Sequence, residues 1–226
     1  MMADRPAPFE VKDCAMITLA LGKSAHNLRE LRDRVVEAPP QSIYHHFYET
    51  LLRPGFDDPE YRNDFALWAR RQLHDFHLAE RLGIIEPMDY PDMEALRQHL
   101  VEIIEDRLME SLPQAAVHPG REFHFLRSRL VVFDAGISAD SPESLARIMP
   151  RISSGSVFYH VIEARRRSPQ RADDFSTWLG LWGPRYAAPC RALSEIDSSL
   201  WPLTELRDLL AGCFAVPTDP EIMGTS

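Results

Sequence analysis

The chain is poor in the residues from which several common classes of functional site are built. Only ten glycines occur among 226 residues and none cluster, so the chain contains no phosphate-binding loop and no dinucleotide fingerprint. The three cysteines, Cys14, Cys190 and Cys213, lack the short paired spacing of metal thiolate and redox motifs. We therefore expect three reduced and buried thiols.

Basic charge and long apolar runs are also scarce. The chain has 25 Lys and Arg residues against 34 Asp and Glu residues, a formal net charge of -9. This balance disfavours binding to nucleic acid or to anionic lipid, because both depend on concentrated positive charge. The longest apolar stretch, residues 15–21, is too short to span a membrane and too close to acidic residues for a signal peptide. We expect a cytoplasmic protein.

What the chain does contain is an internal repeat. Residues 9–49 align without a gap on residues 123–163, where chance would give roughly two or three identities. The identical pairs are Phe9/Phe123, Gly22/Gly136, Ser24/Ser138, Ala25/Ala139, Leu31/Leu145, Ser42/Ser156, His46/His160 and Glu49/Glu163. With the offset reduced from 114 to 110, residues 64–68 align on residues 174–178. The sequence therefore predicts a tandem duplication.

Each repeat is predicted to form one strand followed by four helices. The strands are predicted at residues 9–21 and 123–135, ended by Gly22 and Gly136. In the first repeat the predicted helices cover residues 28–36, a segment from Ser42, residues 65–82 closed by Gly83, and residues 93–108. In the second repeat they begin at Ser141-Pro142, Ser156 and Asp174, with Gly183-Pro184 interrupting the third, and end with residues 203–214.

These elements predict an α+β fold that is mostly α, with pseudo-two-fold symmetry and a small central sheet. Two lone strands would each leave an unpaired edge, so we expect them to pair. The predicted organisation is a first repeat at 1–110, a linker at 111–122, a second repeat at 123–214 and a mobile tail at 215–226. We expect the two repeats to form one compact domain.

The most specific candidate site is the matched pair of His-x-x-Glu sequences. His46 with Glu49, and His160 with Glu163, each place an imidazole and a carboxylate on one helix face at i, i+3. Brought together by the pseudo-two-fold axis, the four groups are a possible site for a divalent metal that would polarise water or a phosphoryl oxygen. The alternative is that each His and Glu ties its helix to a neighbouring strand or cap.

Asp64 and Asp174 are further candidates for ligand binding, each four residues before a tryptophan. They and the tryptophans have the polar and stacking groups of a ligand pocket, but the same pattern suits aspartates that cap helices and aromatic residues that anchor the core. Ser42 and Ser156 favour helix caps over nucleophiles, because no Gly-x-Ser-x-Gly turn surrounds them.

Two weaker patterns also remain open. His74-Asp75, together with His45 or His46, is similar to the scattered ligands of helical metal phosphohydrolases, although Asp75 also suits a surface acid. The basic run at residues 165–167, with Arg171, is either a clamp for a small anion or the solvated end of a helix.

The repeated blocks resemble those of a bacterial family known as a domain of unknown function. They are residues 42–47, 63–68, 78–82 and 85–87, with counterparts at 156–160 and 173–178, and the resemblance covers most of the chain. The family implies no activity. Its relatives are often encoded near trehalose enzymes or other glycosyltransferases, which implies an association with carbohydrate metabolism.

Together these features predict a non-catalytic cytoplasmic module that binds or regulates a protein partner, and the resemblance makes a carbohydrate-metabolism enzyme a possible partner. No complete set of nucleophile, base and orienting group can be assembled from the sequence. We expect no cofactor, no membrane association and no nucleic acid. The alternative is an enzyme or small-ligand-binding protein with a divalent metal held by His46, Glu49, His160 and Glu163.

Overall fold

A computed structural model describes residues 5–52, 61–110 and 116–214. The fold is mostly helical with a two-stranded antiparallel sheet, which confirms the predicted class. The sheet pairs β1 (Phe9–Ala25) with β2 (Phe123–Ala139). The helices are α1 (Leu28–Glu37), α2 (Pro40–Leu52), α3 (Asp64–Arg71), α4 (Phe76–Gly83), α5 (Met93–Glu110), α6 (Pro142–Ile148), α7 (Ser154–Val157), α8 (Ala164–Arg167), α9 (Asp174–Gly180), α10 (Ala187–Glu195) and α11 (Leu203–Cys213). Among these residues no helix is both long and apolar enough to cross a bilayer.

Both strands continue past the glycines that were predicted to end them. Gly22 and Gly136 lie inside β1 and β2 with φ angles of +66° and +68°. A Cβ atom at either position would meet nothing within 4 Å, so the left-handed backbone conformation, and not a lack of space, favours glycine. A left-handed glycine within a paired strand is typical of a β-bulge.

The chain divides into two compact units. Unit 1 comprises Met1–Ala15 and Val131–Ser226, and unit 2 comprises Met16–Leu130. These boundaries differ from those of the predicted repeats, because unit 1 includes the start of the first repeat and unit 2 includes the start of the second. Residues 111–115 of the predicted linker and the whole predicted tail lie outside the described residues.

Unit 2 contains α1 to α5, where α1 packs on α5 and α3 packs on α4. Its fully buried side chains include Leu28, Leu31, Ile43, Phe65, Leu78, Leu82, Leu96, Leu100 and Ile104. The prediction of a single long helix over residues 65–82 is wrong, because a turn separates α3 from α4. His74 has a φ of +53° at this break, and the Asp75 side chain then caps α4 by accepting from Leu78 N.

The prediction that Gly83 closes this helix as a left-handed residue is also wrong. It is the last residue of α4 and does not have a positive φ. A Cβ atom there would lie 2.8 Å from Cδ1 of Tyr61, so the close packing of the Tyr61 ring favours glycine.

Unit 1 contains α6 to α11. Ser141 caps α6 with Pro142 in its first turn, as predicted. Between α7 and α8 the helix widens into a π-helical segment, Phe158–Glu163, whose counterpart in unit 2 lies within the regular helix α2. The predicted interruption at Gly183-Pro184 is confirmed, since Gly183 has a φ of +94° and Pro184 begins a short 3-10 turn. The unit 1 core includes Val11, Leu145, Met149, Val157, Phe158, Val161, Phe175, Leu179, Leu193, Leu206 and Leu210.

Candidate functional site

In unit 2, a buried histidine binds through both of its ring nitrogens. His46 lies on α2, and its Nδ1 is 2.8 Å from Oδ2 of Asp64, the first residue of α3. Its Nε2 accepts a hydrogen bond of 3.2 Å from the backbone N–H of Leu126 on β2. Because an amide can only donate, Nε2 must keep its lone pair and the proton must lie on Nδ1. The contacts therefore fix a neutral imidazole in one tautomer.

Unit 1 holds its own histidine in the same way. His160 Nδ1 is 2.7 Å from Oδ2 of Asp174, and His160 Nε2 accepts a hydrogen bond of 2.9 Å from the backbone N–H of Lys12. Lys12 and Leu126 are 114 residues apart, as are His46 and His160. Each imidazole thus binds the strand segment that belongs to the other predicted repeat.

Aromatic side chains surround both histidines in matching positions. In unit 2, Phe123 stacks on Phe65 with ring centroids 5.0 Å apart, and Trp68 Nε1 donates to the carbonyl of Arg121 at 2.8 Å. In unit 1, Phe9 lies 5.2 Å from Phe175, and Trp178 Nε1 donates to the carbonyl of Ala7 at 2.8 Å. The aromatic residues therefore hold a strand segment against the helices of each unit.

In unit 2, side chains of α2 bind the backbone at the edge of β2. Ser42 Oγ donates to the carbonyl of Leu126 at 2.6 Å, while His46, one turn further along α2, accepts from the amide of the same residue. Both backbone groups of Leu126 are thus satisfied by helix side chains, as a neighbouring strand would otherwise satisfy them.

The four residues predicted to cap helices do not serve as N-caps. Ser42 is the third residue of α2, and Ser156 lies inside α7, whose cap is Ser153. Asn63 caps α3 and Asp173 caps α9, each one residue before the aspartate that was predicted to do so. Asp64 and Asp174 are instead free of the capping role and accept from the histidines, which the sequence pattern alone did not indicate.

The predicted glutamates are placed one in each unit. Glu49 lies with His46 in unit 2, and Glu163 lies with His160 in unit 1. Glu163 is buried and forms a bidentate ion pair with Arg166, accepting hydrogen bonds of 2.9 Å and 2.5 Å. The carboxylates that bind the Nδ1 protons are those of Asp64 and Asp174.

Among the described residues, one cluster has the donor atoms of a metal site. Ligand atoms of His45, His46 and Asp64 lie within 4.8 Å of one another. Two imidazoles and a carboxylate suit Zn²⁺. However, His45 Nδ1 is 2.5 Å from Oγ of Ser128, and His46 would have to give up one of its two hydrogen bonds to bind a metal. In this arrangement His46 binds the backbone of β2 and has no free lone pair for a metal.

The remaining polar candidates are also engaged within their own units. Asp75 caps α4 and lies 2.8 Å from Nε of Arg107, which raises the pKa of that guanidinium. A surface cavity of about 600 Å³ beside it is lined by His74, His77 and His118 among others.

The basic run predicted as a possible anion clamp binds groups of unit 1. Arg165 donates to the carbonyls of Leu193 and Ile196. Arg166 binds Glu163, and Arg167 binds Asp174 and the carbonyl of Tyr159.

All three cysteines are free thiols. Cys14 and Cys213 are buried and Cys190 is half-buried. Burial, with the nearby carboxylates of Asp13 and Glu163, raises the pKa of Cys14 to about 12. Its Sγ donates to the carbonyl of Gly155 at 3.1 Å, so this thiol is an unreactive part of the unit 1 core.

Comparison with known proteins identifies a fold and a family but no activity. The solved structure of OrfY from Thermoproteus tenax matches with a TM-score of 0.76 and 28% identity, covering 93% of this chain and 96% of that chain. No curated protein matches. The model of a family of unknown function, DUF5752, matches residues 6–215. This chain is therefore a member of the DUF5752 family.

Proposed function

We propose that the protein is a non-catalytic interaction or regulatory module that acts on a protein partner. The observation that carries the proposal is a run of three apolar residues on β2 in unit 1. Val131, Val132 and Phe133 are 39%, 41% and 46% exposed. Successive side chains of a strand point to opposite faces, so Val131 and Phe133 share one face of β2 and Val132 lies on the other. Neighbouring exposed apolar side chains such as Val131 and Phe133 are typical of a protein interaction surface, because leaving them in water costs free energy.

The buried histidines support the non-catalytic part of this proposal. A general base needs an accessible lone pair within reach of a substrate proton. At both His46 and His160 that lone pair accepts from a backbone amide, and both side chains are almost fully buried. A role in holding strands accounts for their chemistry without a substrate.

The partner is proposed to be a cytoplasmic protein. The net charge of -9 argues against nucleic acid and anionic lipid as partners. The resemblance to a family encoded near trehalose enzymes or glycosyltransferases makes a carbohydrate-metabolism enzyme the first partner to test.

Site-specific photo-crosslinking tests the proposal. A photoreactive phenylalanine analogue is placed at Phe133 in the full chain, and a matched control carries it at Leu209, which is 38% exposed on α11 of the same unit. We expect one identified protein to crosslink from position 133 only, and the added substitution Val131→Lys to abolish the crosslink. Equal crosslinking from both positions, or none from position 133 in native cells, would contradict the proposal.

The second proposed function is an enzyme or ligand-binding protein with a divalent metal, for which the sequence predicts His46, Glu49, His160 and Glu163 as ligands. The specific observation in its favour is the cluster of His45, His46 and Asp64. Elemental analysis of untagged protein tests it. Stoichiometric Zn²⁺ that disappears in His46→Ala would support a metal function, and sub-stoichiometric metal that is unchanged by His46→Ala and His160→Ala would exclude it.

A further inference from the structure

The N-terminal segment, residues 5–15, docks in unit 1 against helices that lie far away in the sequence. Phe9 is 6% exposed, and its ring contacts His160, Phe175 and Trp178 at centroid distances of 4.9, 5.2 and 5.7 Å. Phe9 is thus the apolar anchor of the segment.

Hydrogen bonds between side chains of unit 1 and main-chain atoms hold the segment on both sides of Phe9. Trp178 Nε1 donates to the carbonyl of Ala7, and His160 Nε2 accepts from the N–H of Lys12. Both bonds connect residues more than 140 positions apart, since the separations are 171 and 148. Because they bind main-chain atoms, they require an extended segment in this register but few particular side chains.

Helix α7 approaches the N-terminal segment very closely at Gly155. A Cβ atom on Gly155 would overlap Oδ1 of Asp13 and lie 2.5 Å from the carbonyl oxygen of Cys14. Only glycine allows so close an approach of α7 to the segment. Val11 is fully buried, and Cys14 donates to the carbonyl of Gly155. His160, Phe175, Trp178 and Gly155 thus form a docking groove for an extended segment with phenylalanine at its start.

We propose that this docking groove also accepts the N-terminal segment of a second copy, which gives a strand-exchanged dimer. A second copy is the one partner certain to carry a segment with matching anchor, spacing and backbone. Exchange of an identical element replaces every intramolecular contact by the same contact between chains, so it is a low-cost route to a dimer. The exchange would occur where the chain passes from unit 1 to unit 2, at Ala15–Met16. This inference concerns other residues than the interaction surface proposed above and does not depend on it.

A chain's own segment competes for the groove at a high effective concentration, so the test uses two full-length variants with complementary defects. Phe9→Ala weakens the segment and leaves the groove intact, whereas Trp178→Ala weakens the groove and leaves the segment intact. One variant is ¹⁵N-labelled, the two are mixed in equal amounts, and native mass spectrometry measures the mixed dimer. The control mixes Phe9→Ala with the double variant Phe9→Ala/Trp178→Ala, which offers no intact anchor.

We expect the mixture to contain at least about tenfold more mixed dimer than the control, in line with the loss of one buried aromatic anchor. The conservative pair Phe9→Leu and Trp178→Phe is measured in parallel, and it decides the result if the alanine variants do not fold. For that pair we expect the same order with a smaller ratio. If a pair of folded variants forms no more mixed dimer than the control mixture, the proposal is overturned.

Discussion

The imidazoles of His46 and His160 bind main-chain atoms of strands, a role that most often falls to backbone groups. Each uses a protonated Nδ1 toward an aspartate and an unprotonated Nε2 toward an amide. Removing His46 leaves the half-buried amide of Leu126 and the carboxylate of Asp64 without the imidazole, whereas after removal of His160 the carboxylate of Asp174 keeps Arg167. Polar groups that lose a partner where water has little access destabilise the fold.

We predict that His46→Ala lowers the free energy of unfolding by about 1–3 kcal/mol, because the amide of Leu126 and the carboxylate of Asp64 both lose their partner. Urea denaturation followed by circular dichroism measures the change. His124→Ala is the matched control, because His124 lies on β2 in the same unit with its side chain 67% exposed. We expect the control to change stability by less than about 0.5 kcal/mol. Equal losses in the two variants would show that the paired hydrogen bonds contribute nothing.

The thiol of Cys14 should make the protein sensitive to alkali. Its pKa is 9.0 as an ordinary thiol and is raised to about 12 in the fold. The stability that the neutral thiol contributes is therefore complete below pH 9 and is lost as the pH rises toward 12. We expect wild-type protein to lose more stability over this range than Cys14→Ala, measured by denaturation at a series of pH values. Parallel curves for the two proteins would contradict this.

At the scale of elements, the break between α3 and α4 depends on one strained residue. His74 has a φ of +53°, a conformation that costs a non-glycine residue about 1–2 kcal/mol. We predict that His74→Gly raises the unfolding free energy by about 1 kcal/mol, whereas His77→Gly, within α4, lowers it by about 1 kcal/mol. Thermal denaturation measures both changes. A fall in stability for His74→Gly would mean that the imidazole makes contacts worth more than the backbone strain.

The elements were predictable where the local sequence determines the backbone. The helix start at Ser141-Pro142 and the interruption at Gly183-Pro184 are confirmed, because proline and a capping hydroxyl act on their immediate neighbours. The α3–α4 break was missed because neither glycine nor proline marks it. Asp64 was given a cap role that Asn63 performs, since two adjacent polar residues offer equivalent caps and only the position of His46 distinguishes them.

At the scale of the whole molecule, each unit combines helices from one predicted repeat with a strand segment from the other. The sequence could not indicate this exchange, because Phe9 and Phe123 are identical and either would satisfy either set of helices. The contacts at equivalent positions agree with a tandem duplication, which stays a prediction. The candidate histidines were found from their repetition, but their partners Lys12 and Leu126 contribute only backbone atoms, which leave no sequence signal.

We predict that Phe9→Ala increases hydrogen exchange in α9 more than in α3, although Phe9 is much closer in sequence to α3. The reason is that its ring packs against Phe175 and Trp178 within unit 1. Phe123→Ala, the matched change in unit 2, should have the reverse effect through Phe65 and Trp68. Mass spectrometry of peptides from the two helices measures the exchange. Preferential deprotection of α3 by Phe9→Ala would contradict the assignment of the segment to unit 1.

The docking of residues 5–15 in unit 1 has a consequence for synthesis on the ribosome. This segment emerges before the helices that receive Phe9, which are translated more than 140 residues later. Unit 2, which is continuous in the chain, can fold while translation proceeds, but unit 1 must wait for its last helices. The nascent chain therefore carries an unburied apolar segment around Phe9 that chaperones can bind until those helices have emerged.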